Sequence, residues 1–439
     1  MLSKIKVKMR ASLWFFFALY LILPEYFALE ISSSIPLLTG SRIILVIMIL
    51  VCIHKRTINI KLDRAFLAYF IILLIVNLYH LSTNPSTAIK AIFTLIVEQA
   101  VLYIVMKNLI KSKDVWYKGM DIMVSVSGIV SILGFFEAIS GINVFYYLTT
   151  TSRDMLQASY ERLGSLRAES AFGHPVYFAV YLLSMLPFAL YFYENTAKKR
   201  YLLIGGLNIC ALFASGTRGG VVVLAVLLLS FVFFKKKGTK KRYLKPFVAL
   251  LPVAAIALAI FPEFFSYAGN LISSVFYALG ISTSEVSDFG NNVSGLASRT
   301  MQFSGLTWAK EHNALLLGFG PEAHVNKLIA YRNYLTGRWN TLSTIDCGYI
   351  GYILLYGIVG TVGYVIMYIS AVKKSIVRSD ENERSNIFNA YKYFYIAYFV
   401  GLLSSVGLDS LFFVFYFMML IYIELDKKEC KNQAGSLYT

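Results

Sequence analysis

Residues 207–228 read LNICALFASGTRGGVVVLAVLL. Two runs apolar enough to live in lipid flank a four-residue break, GTRG, that holds Arg218. A charge at the centre of a bilayer costs at least about 2.5–3.5 kcal/mol. The break is therefore where one helix leaves the apolar layer and the next re-enters, and Arg218 belongs at a surface. Similar runs recur along the 439-residue chain, which is 57% hydrophobic and only 15% charged. A soluble domain has roughly 25% charged residues. The pattern defines an all-α polytopic membrane protein. The first ten residues, MLSKIKVKMR, are basic, and no small-residue cleavage site follows the next apolar run. That segment reads as an anchor.

Counting from the break outward gives about 12 transmembrane helices, at 11–29, 36–53, 65–81, 89–106, 117–139, 174–193, 201–216, 219–234, 246–262, 347–370, 388–406 and 409–425. Each is near the length needed to cross about 30 Å of hydrocarbon. The net charge of +17 invites a nucleic-acid reading, but the positive-inside rule explains it better. With the N-terminus in the cytoplasm, 30 of the 41 Lys and Arg residues fall on the cytoplasmic side and 11 outside. Both termini are then cytoplasmic, and Arg218 faces out. The two sides also differ in kind: 8 of the 11 outer cations are arginine, against 7 of the 30 inner ones. Lysine suffices for topology, whereas arginine offers a bidentate fork to phosphate or carboxylate. The excess points to a bound anion on the outer side; ion pairing with Asp154, Glu161, Glu169 and Glu322 is the plainer alternative.

Two outer segments are long, 140–173 and 263–346, the second lying between spans 9 and 10. Long loops without a disordered composition usually carry function. In the second, ASRTMQFSGLTWAK puts Arg299, Phe303, Leu306 and Lys310 on one helical face, and HVNKLIAYRNYL does the same for Val325, Leu328, Ile329 and Arg332. Two helices lying against the outer ends of the spans are expected there. The glycines at 216, 219 and 220 let backbone approach a ligand closely, and the helix that starts after the turn presents unpaired N–H groups. Arg218 thus marks an anion site, with a snorkelling arginine as the alternative. Glu98, in mid-span, reads as protonated or hydrogen-bonded to a neighbouring helix. Arg42 pairs with a carboxylate such as Glu137 or lines a lipid-phosphate entry. The four scattered cysteines, Cys52, Cys210, Cys347 and Cys430, have no metal spacing, and GxxxxGK[ST] and HExxH do not occur.

The turn ASGTRGG, the loop stretch SRTMQFSGLTWAKEHNALLLGFGPE, the span TIDCGYIGYILLYGIVGTVGYVIMY and the entry RAESAFGHPVYFAVYLLSMLPFAL stand in this order on one side. Together they resemble the O-antigen polymerase and O-antigen ligase superfamily, over roughly residues 150–370. The ligase pattern has His-Asn where the span after the large loop begins; here that place reads Thr344-Ile345-Asp346, while His312-Asn313 lies upstream. The resemblance therefore favours a polymerase of surface polysaccharide repeats (O-antigen, capsule or exopolysaccharide). It implies a GT-C-like membrane enzyme at the bacterial cytoplasmic membrane with its active site outside. The donor and acceptor would be undecaprenyl-pyrophosphate-linked glycans, joined with inversion and with no metal or other cofactor. Membrane lipid and a chain-length regulator are implied partners, and nucleic acid is not.

In such a reaction the leaving pyrophosphate gains charge, and without a metal arginines must stabilise it. Arg218 and Arg299 come first, then Arg167, with Arg332 and Arg338 after them. The acceptor hydroxyl benefits from a general base. Asp346 is the first choice, with capping of the tenth span as its other role, followed by His174 and Glu169. His312, His324 and Asp409 are further outer-face carboxylates or imidazoles. The large loop is expected to fold over the GTRG turn so that Arg218 and Arg299 converge. A ligase acting on another acceptor is the alternative within the family. A lipid-linked oligosaccharide flippase is the alternative outside it, although no internal repeat of the transporter kind is present.

Overall fold

The computed structural model describes residues 16–31, 36–54, 58–151, 160–162, 165–234, 262–278, 300–333, 336–380, 387–404 and 409–436. Arg299 and nearly all of the expected span 246–262 lie outside the described residues. Of the described residues 74% are helical, and the short strands act as clips between helices. The helices are α1 (16–22), α2 (Gly40–His54), α3 (Arg64–Tyr79), α4 (Pro85–Leu109), α5 (Lys113–Ser140), α6 (Pro175–Thr196), α7 (Lys199–Ala214) and α8 (Arg218–Phe234). They continue with α9 (Pro262–Ala278), α10 (Gly305–Glu311), α11 (Gly348–Asp380), α12 (Ile387–Gly401) and α13 (Asp409–Ser436). Among the described residues, four stretches are long and apolar enough to cross a membrane: Pro85–Leu109, Lys113–Ser140, Pro175–Thr196 and Gly348–Ser379. Gly40–His54, Arg64–Tyr79 and Arg218–Phe231 are shorter apolar helices.

Local chemistry sets the helix ends. Asp63 caps α3 by accepting from the N–H groups of Ala65 and Phe66 (3.1 and 3.4 Å), and Ser112 caps α5 through Val115 N–H (3.3 Å). Gly141 closes α5 in the left-handed region, φ 73°. Pro175 opens α6 at its first turn, where a missing N–H costs nothing. Buried polar rungs fix the register of α7 on α5: Ser131 donates to Asn208 (2.8 Å), and Asn208 donates to Ser127 (3.2 Å). Such bonds hold helices together where both sides of the contact are apolar. α6 lies between α7, α5 and α12, and is buried along nearly its whole length.

α4 contains a π-helical stretch, Leu95–Val101, carrying Glu98. Glu98 is paired: Arg42 Nε lies 2.5 Å from its Oε1, and Arg42 also donates to Leu37 O. The expected pairing of Arg42 with a carboxylate is present, with Glu98 as the partner in place of the example Glu137.

α11 is broken at Gly357, whose φ of 66° and ψ of −172° are non-helical. The chain doubles back there. Tyr352 OH comes within 2.7 Å of Tyr368 OH, and the Tyr352 and Tyr364 rings stack at 4.0 Å. A straight helix would separate residues 352 and 368 by roughly 24 Å. The backbone groups freed by the break are satisfied by the LLLGFG stretch. Phe319 and Gly320 N–H donate to Leu354 and Leu355 O (2.9 and 3.0 Å), and Ile358 and Val359 N–H donate to Leu315 and Leu316 O (3.0 and 3.1 Å). Gly318 has φ 77°, and a Cβ there would run into the Leu355 carbonyl. The G-x-G of the loop is thus the clasp of a broken helix.

A small second core gathers over this clasp, from Ala309, Ile329, Leu342, Ile345, Ile350 and Leu354. Of the first expected loop helix, the part from Gly305 is present as α10, after a turn at Phe303–Ser304. The second is not: Ala330–Arg332 is a strand, β5, paired antiparallel with β6 (Trp339–Thr341) in the register Ala330↔Thr341. Gly337, at φ 68°, turns the hairpin. Burial along this strand does not alternate (Ala330 buried, Tyr331 half-buried, Arg332 exposed), so the cross-strand pairing and the turn residues decide for the hairpin. The loop also carries a helix that its periodicity did not announce, α9.

Candidate anion site at an arginine-lined turn

The Ala214–Arg218 connection between α7 and α8 is where side chains of the 160–167 loop and of α9 gather. Gly216 is in the left-handed region, φ 58°. Thr217 starts α8 by accepting from Val221 N–H through its carbonyl (3.2 Å). Arg167 is buried against the turn, donating from Nε to Ser215 O (3.1 Å) and from Nη2 to Thr217 Oγ1 (3.3 Å). Arg162 Nη1 donates to Gly216 O (2.7 Å), and Arg218 Nε donates to Ser274 Oγ of α9 (2.9 Å). A Cβ on Gly216 would collide with Tyr267 of α9 and with Arg167. The turn is therefore enclosed by three guanidinium groups and by a helix from the large loop.

The loop that supplies Arg162 and Arg167 is pinned by a carboxylate at the end of α5. Glu137 accepts Ser170 N–H (2.8 Å), Glu169 N–H (3.3 Å) and Asn143 Nδ2 (3.1 Å). Ala168 N–H donates to Ala214 O (3.0 Å), and Arg167 N–H to Tyr160 O (2.8 Å). β3 (Glu161–Arg162) and β4 (Ser165–Leu166) form a clip that returns the chain to the turn. Burial lowers Arg167, with Arg162 next, to about 10, and Arg218 contributes in the same sense. Three cations held this closely favour an anion among them.

Glu169 sits two residues from Arg167 and is buried. Tyr146 OH donates to its Oε1, and its Oε2 is buried without a hydrogen-bond partner among the described residues. Burial raises the carboxyl above the ordinary range, opposed by the Tyr146 hydrogen bond and by Arg167. His174 makes a turn contact at the start of α6. Its Nδ1 accepts Val176 N–H (3.2 Å) and caps α6. Burial, with Arg167 beside it, lowers it to about 4. A neutral ring whose Nδ1 accepts carries its proton on Nε2, and so it donates.

Asp346 is half-buried before α11. Gln302 holds it twice, donating from Nε2 to Oδ2 (3.0 Å) and accepting Asp346 N–H through Oε1 (3.0 Å). The helix is opened instead by Cys347, whose carbonyl accepts Gly351 N–H (2.9 Å). Gly348 N–H donates to Leu402 O (2.8 Å), and Gly219 packs on Ser404. Asp346 and Arg218 thus flank the Leu402–Ser404 turn at one end of the bundle. Arg332 and Arg338 are exposed in the β5–β6 hairpin; Arg332 Nε donates to Gly337 O (3.3 Å) within it. Asp409 is ringed by tyrosine hydroxyls, accepting from Tyr352 (2.9 Å), Tyr364 (3.1 Å) and Tyr398 (3.2 Å). His312 Nδ1 lies 2.9 Å from Trp308 O. Arg162, Gln302, Tyr267 and Ser274 were not singled out as site residues from sequence. Arg162 shared only the arginine excess, and the others carried no signal.

By fold and site this is a mostly helical membrane protein with an arginine-lined turn closed by its largest loop. No protein-family model and no curated protein matches the chain.

Proposed function

We propose that the protein polymerises undecaprenyl-pyrophosphate-linked oligosaccharide repeat units into a surface polysaccharide, on the outer face of a cytoplasmic membrane that it crosses about twelve times with both termini inside. The observation that carries this reading is the gathering of Arg162, Arg167 and Arg218 on the Gly216 turn, with the buried carboxylate Glu169 beside them. The arginines receive the carrier pyrophosphate. Arg162 and Arg167 stitch the turn through its carbonyls and hydroxyl while adding positive charge. Arg218, at the start of α8, adds its charge to the positive end of that helix.

Glu169 Oε2 accepts the proton of the acceptor hydroxyl. The hydroxyl oxygen forms the new bond to the anomeric carbon as the bond from that carbon to the pyrophosphate oxygen breaks. The electron pair leaves with the pyrophosphate, whose growing charge the fixed guanidinium groups stabilise. Attack from the face opposite the leaving group inverts the anomeric centre. A general base contributes about 10²–10⁴-fold. Tyr146 orients Glu169, and Glu137 holds the loop that carries it.

Surface polysaccharide is compared by gel from cells with and without the gene. The expected result without it is single repeats left on the carrier. Full-length unattached chains would mean a ligase, and repeats trapped inside would mean a transporter; either overturns the polymerase reading.

A further inference from the structure

Far from the arginine turn, α11 carries a second cationic feature. A pocket of about 290 Å³ is lined by Ser370, Lys373, Lys374, Val377 and Arg378. The charges around it nearly balance. Lys374 Nζ lies 2.8 Å from Asp63 Oδ2, Arg378 Nη1 lies 3.6 Å from Asp426 Oδ2, and Lys113 reaches Asp426 and Glu429 at 2.6 and 2.9 Å. Those three cations face three carboxylates. Lys373 makes no ion pair among the described residues and is exposed, so it adds one uncompensated positive charge.

Above Lys373 the same helical face is apolar and bare. Val362, Ile366 and Ile369 stand one turn apart along it, and Ile369 is 61% exposed. An apolar stripe ending in a pocket with one spare cation complements an amphiphile with two chains and one negative charge. The geometry points to a bound anionic phospholipid, its acyl chains along Val362–Ile366–Ile369 and its phosphodiester in the pocket on Lys373. Arg378 stacks on Phe388 at 5.7 Å, and Lys374 lies over Tyr416 at 5.5 Å, so both are held at the pocket wall. A zwitterionic lipid brings no net charge to match the spare cation. Basic pockets between spanning helices recognise anionic headgroups in this way. The assignment is independent of the polymerase reading.

The test uses the full-length protein released from nanodiscs containing equal amounts of phosphatidylglycerol and phosphatidylcholine, with retained lipid read by native mass spectrometry. The wild type is expected to keep phosphatidylglycerol preferentially. Lys373→Ala and Lys373→Gln are expected to lower that retention about fivefold, the effect of one cation near an anionic surface. Lys198→Ala, at another exposed lysine, is expected to change nothing. Lys374 and Arg378 are left intact because Asp63 and Asp426 depend on them. Unchanged elution and thermal midpoint will show that the variants fold. Equal retention of both lipids, equal losses in the Lys373 and Lys198 variants, or release of the lipid by inorganic phosphate would overturn the proposal, the last by marking a free-anion site.

Discussion

Glu169 and Asp346 are both carboxylates at one end of the bundle, and their surroundings separate them. Glu169 keeps a buried oxygen free of hydrogen bonds among the described residues, whereas Asp346 is held at both its carboxylate and its N–H by Gln302. Glu169→Gln is therefore expected to abolish polymer at unchanged protein level. Asp346→Asn should keep most of it, because an amide oxygen still accepts from Gln302. Polymer length on gels, with the protein level measured alongside, checks both, and the reverse pattern would return the base to Asp346. Arg218→Ala should slow polymerisation by about 100-fold, the cost of one preorganised donor, and Arg218→Lys should recover only part, since lysine keeps the charge but loses the fork. His174 yields a prediction with a sign. Its folded value of about 4 lies below the ordinary 6.5, so the unfolded chain binds the proton more tightly. Stability contributed by the neutral ring is present above about 6.5 and is lost as pH falls towards 4. His174→Asn, a neutral cap, should flatten that part of the acid limb in thermal melts taken from pH 7 to 4. An unchanged slope would remove the capping role. At this scale the sequence spoke through residue type: arginine in a glycine turn marked the site. It was silent on Arg162 and Gln302, whose importance comes from distant partners.

Among the elements, α11 shows most plainly what periodicity leaves out. Its hydropathy runs evenly across Gly357, so nothing in it signals the break that brings Tyr352 onto Tyr368. The information lay elsewhere, in the loop glycines of LLLGFG that make room for the break. Two glycine substitutions separate conformational strain from collision. Gly141 and Gly357 both have positive φ, but a Cβ at Gly141 meets nothing within 4 Å, whereas at Gly357 it meets the Leu316 carbonyl. Gly141→Ala should cost about 1–2 kcal/mol, the left-handed penalty alone. Gly357→Ala should cost clearly more and lower the folded yield in detergent. Equal shifts in melting temperature would mean that the clasp yields freely. Within the loop segment expected to be helical, Ala330–Arg332 is a strand, because Gly337 and the pairing of Ala330 with Thr341 decided against a helix. Helix starts follow local rules that act over four residues, at Asp63, Ser112 and Pro175.

For the molecule as a whole, charge counting assigns sides and the fold assigns neighbours. Tyr147, 82% exposed beyond the end of α5, should be outside, and Lys198, between α6 and α7, inside. In a cysteine-free background, needed because Cys210 and Cys430 are exposed, Tyr147→Cys should react with an impermeant reagent in intact cells and Lys198→Cys should not. Labelling of Lys198→Cys alone would invert the protein and place the arginine turn in the cytoplasm. The all-helical membrane class was readable from composition because lipid forces internal hydrogen bonding. The large loop was expected to fold over the turn, and α9 of that loop meets it; that Tyr267 and Ser274 make the contact was not legible, since it joins segments far apart in the chain. The clasp at Gly357 also has a consequence for biogenesis. Residues 315–320 leave the ribosome before 348–359, yet each stretch completes the other's backbone hydrogen bonds. Until the later stretch is made, the earlier one has carbonyl and amide groups that only water can satisfy. It must therefore wait outside the lipid and close onto the broken helix after insertion, which makes this joint one of the last in the protein to form.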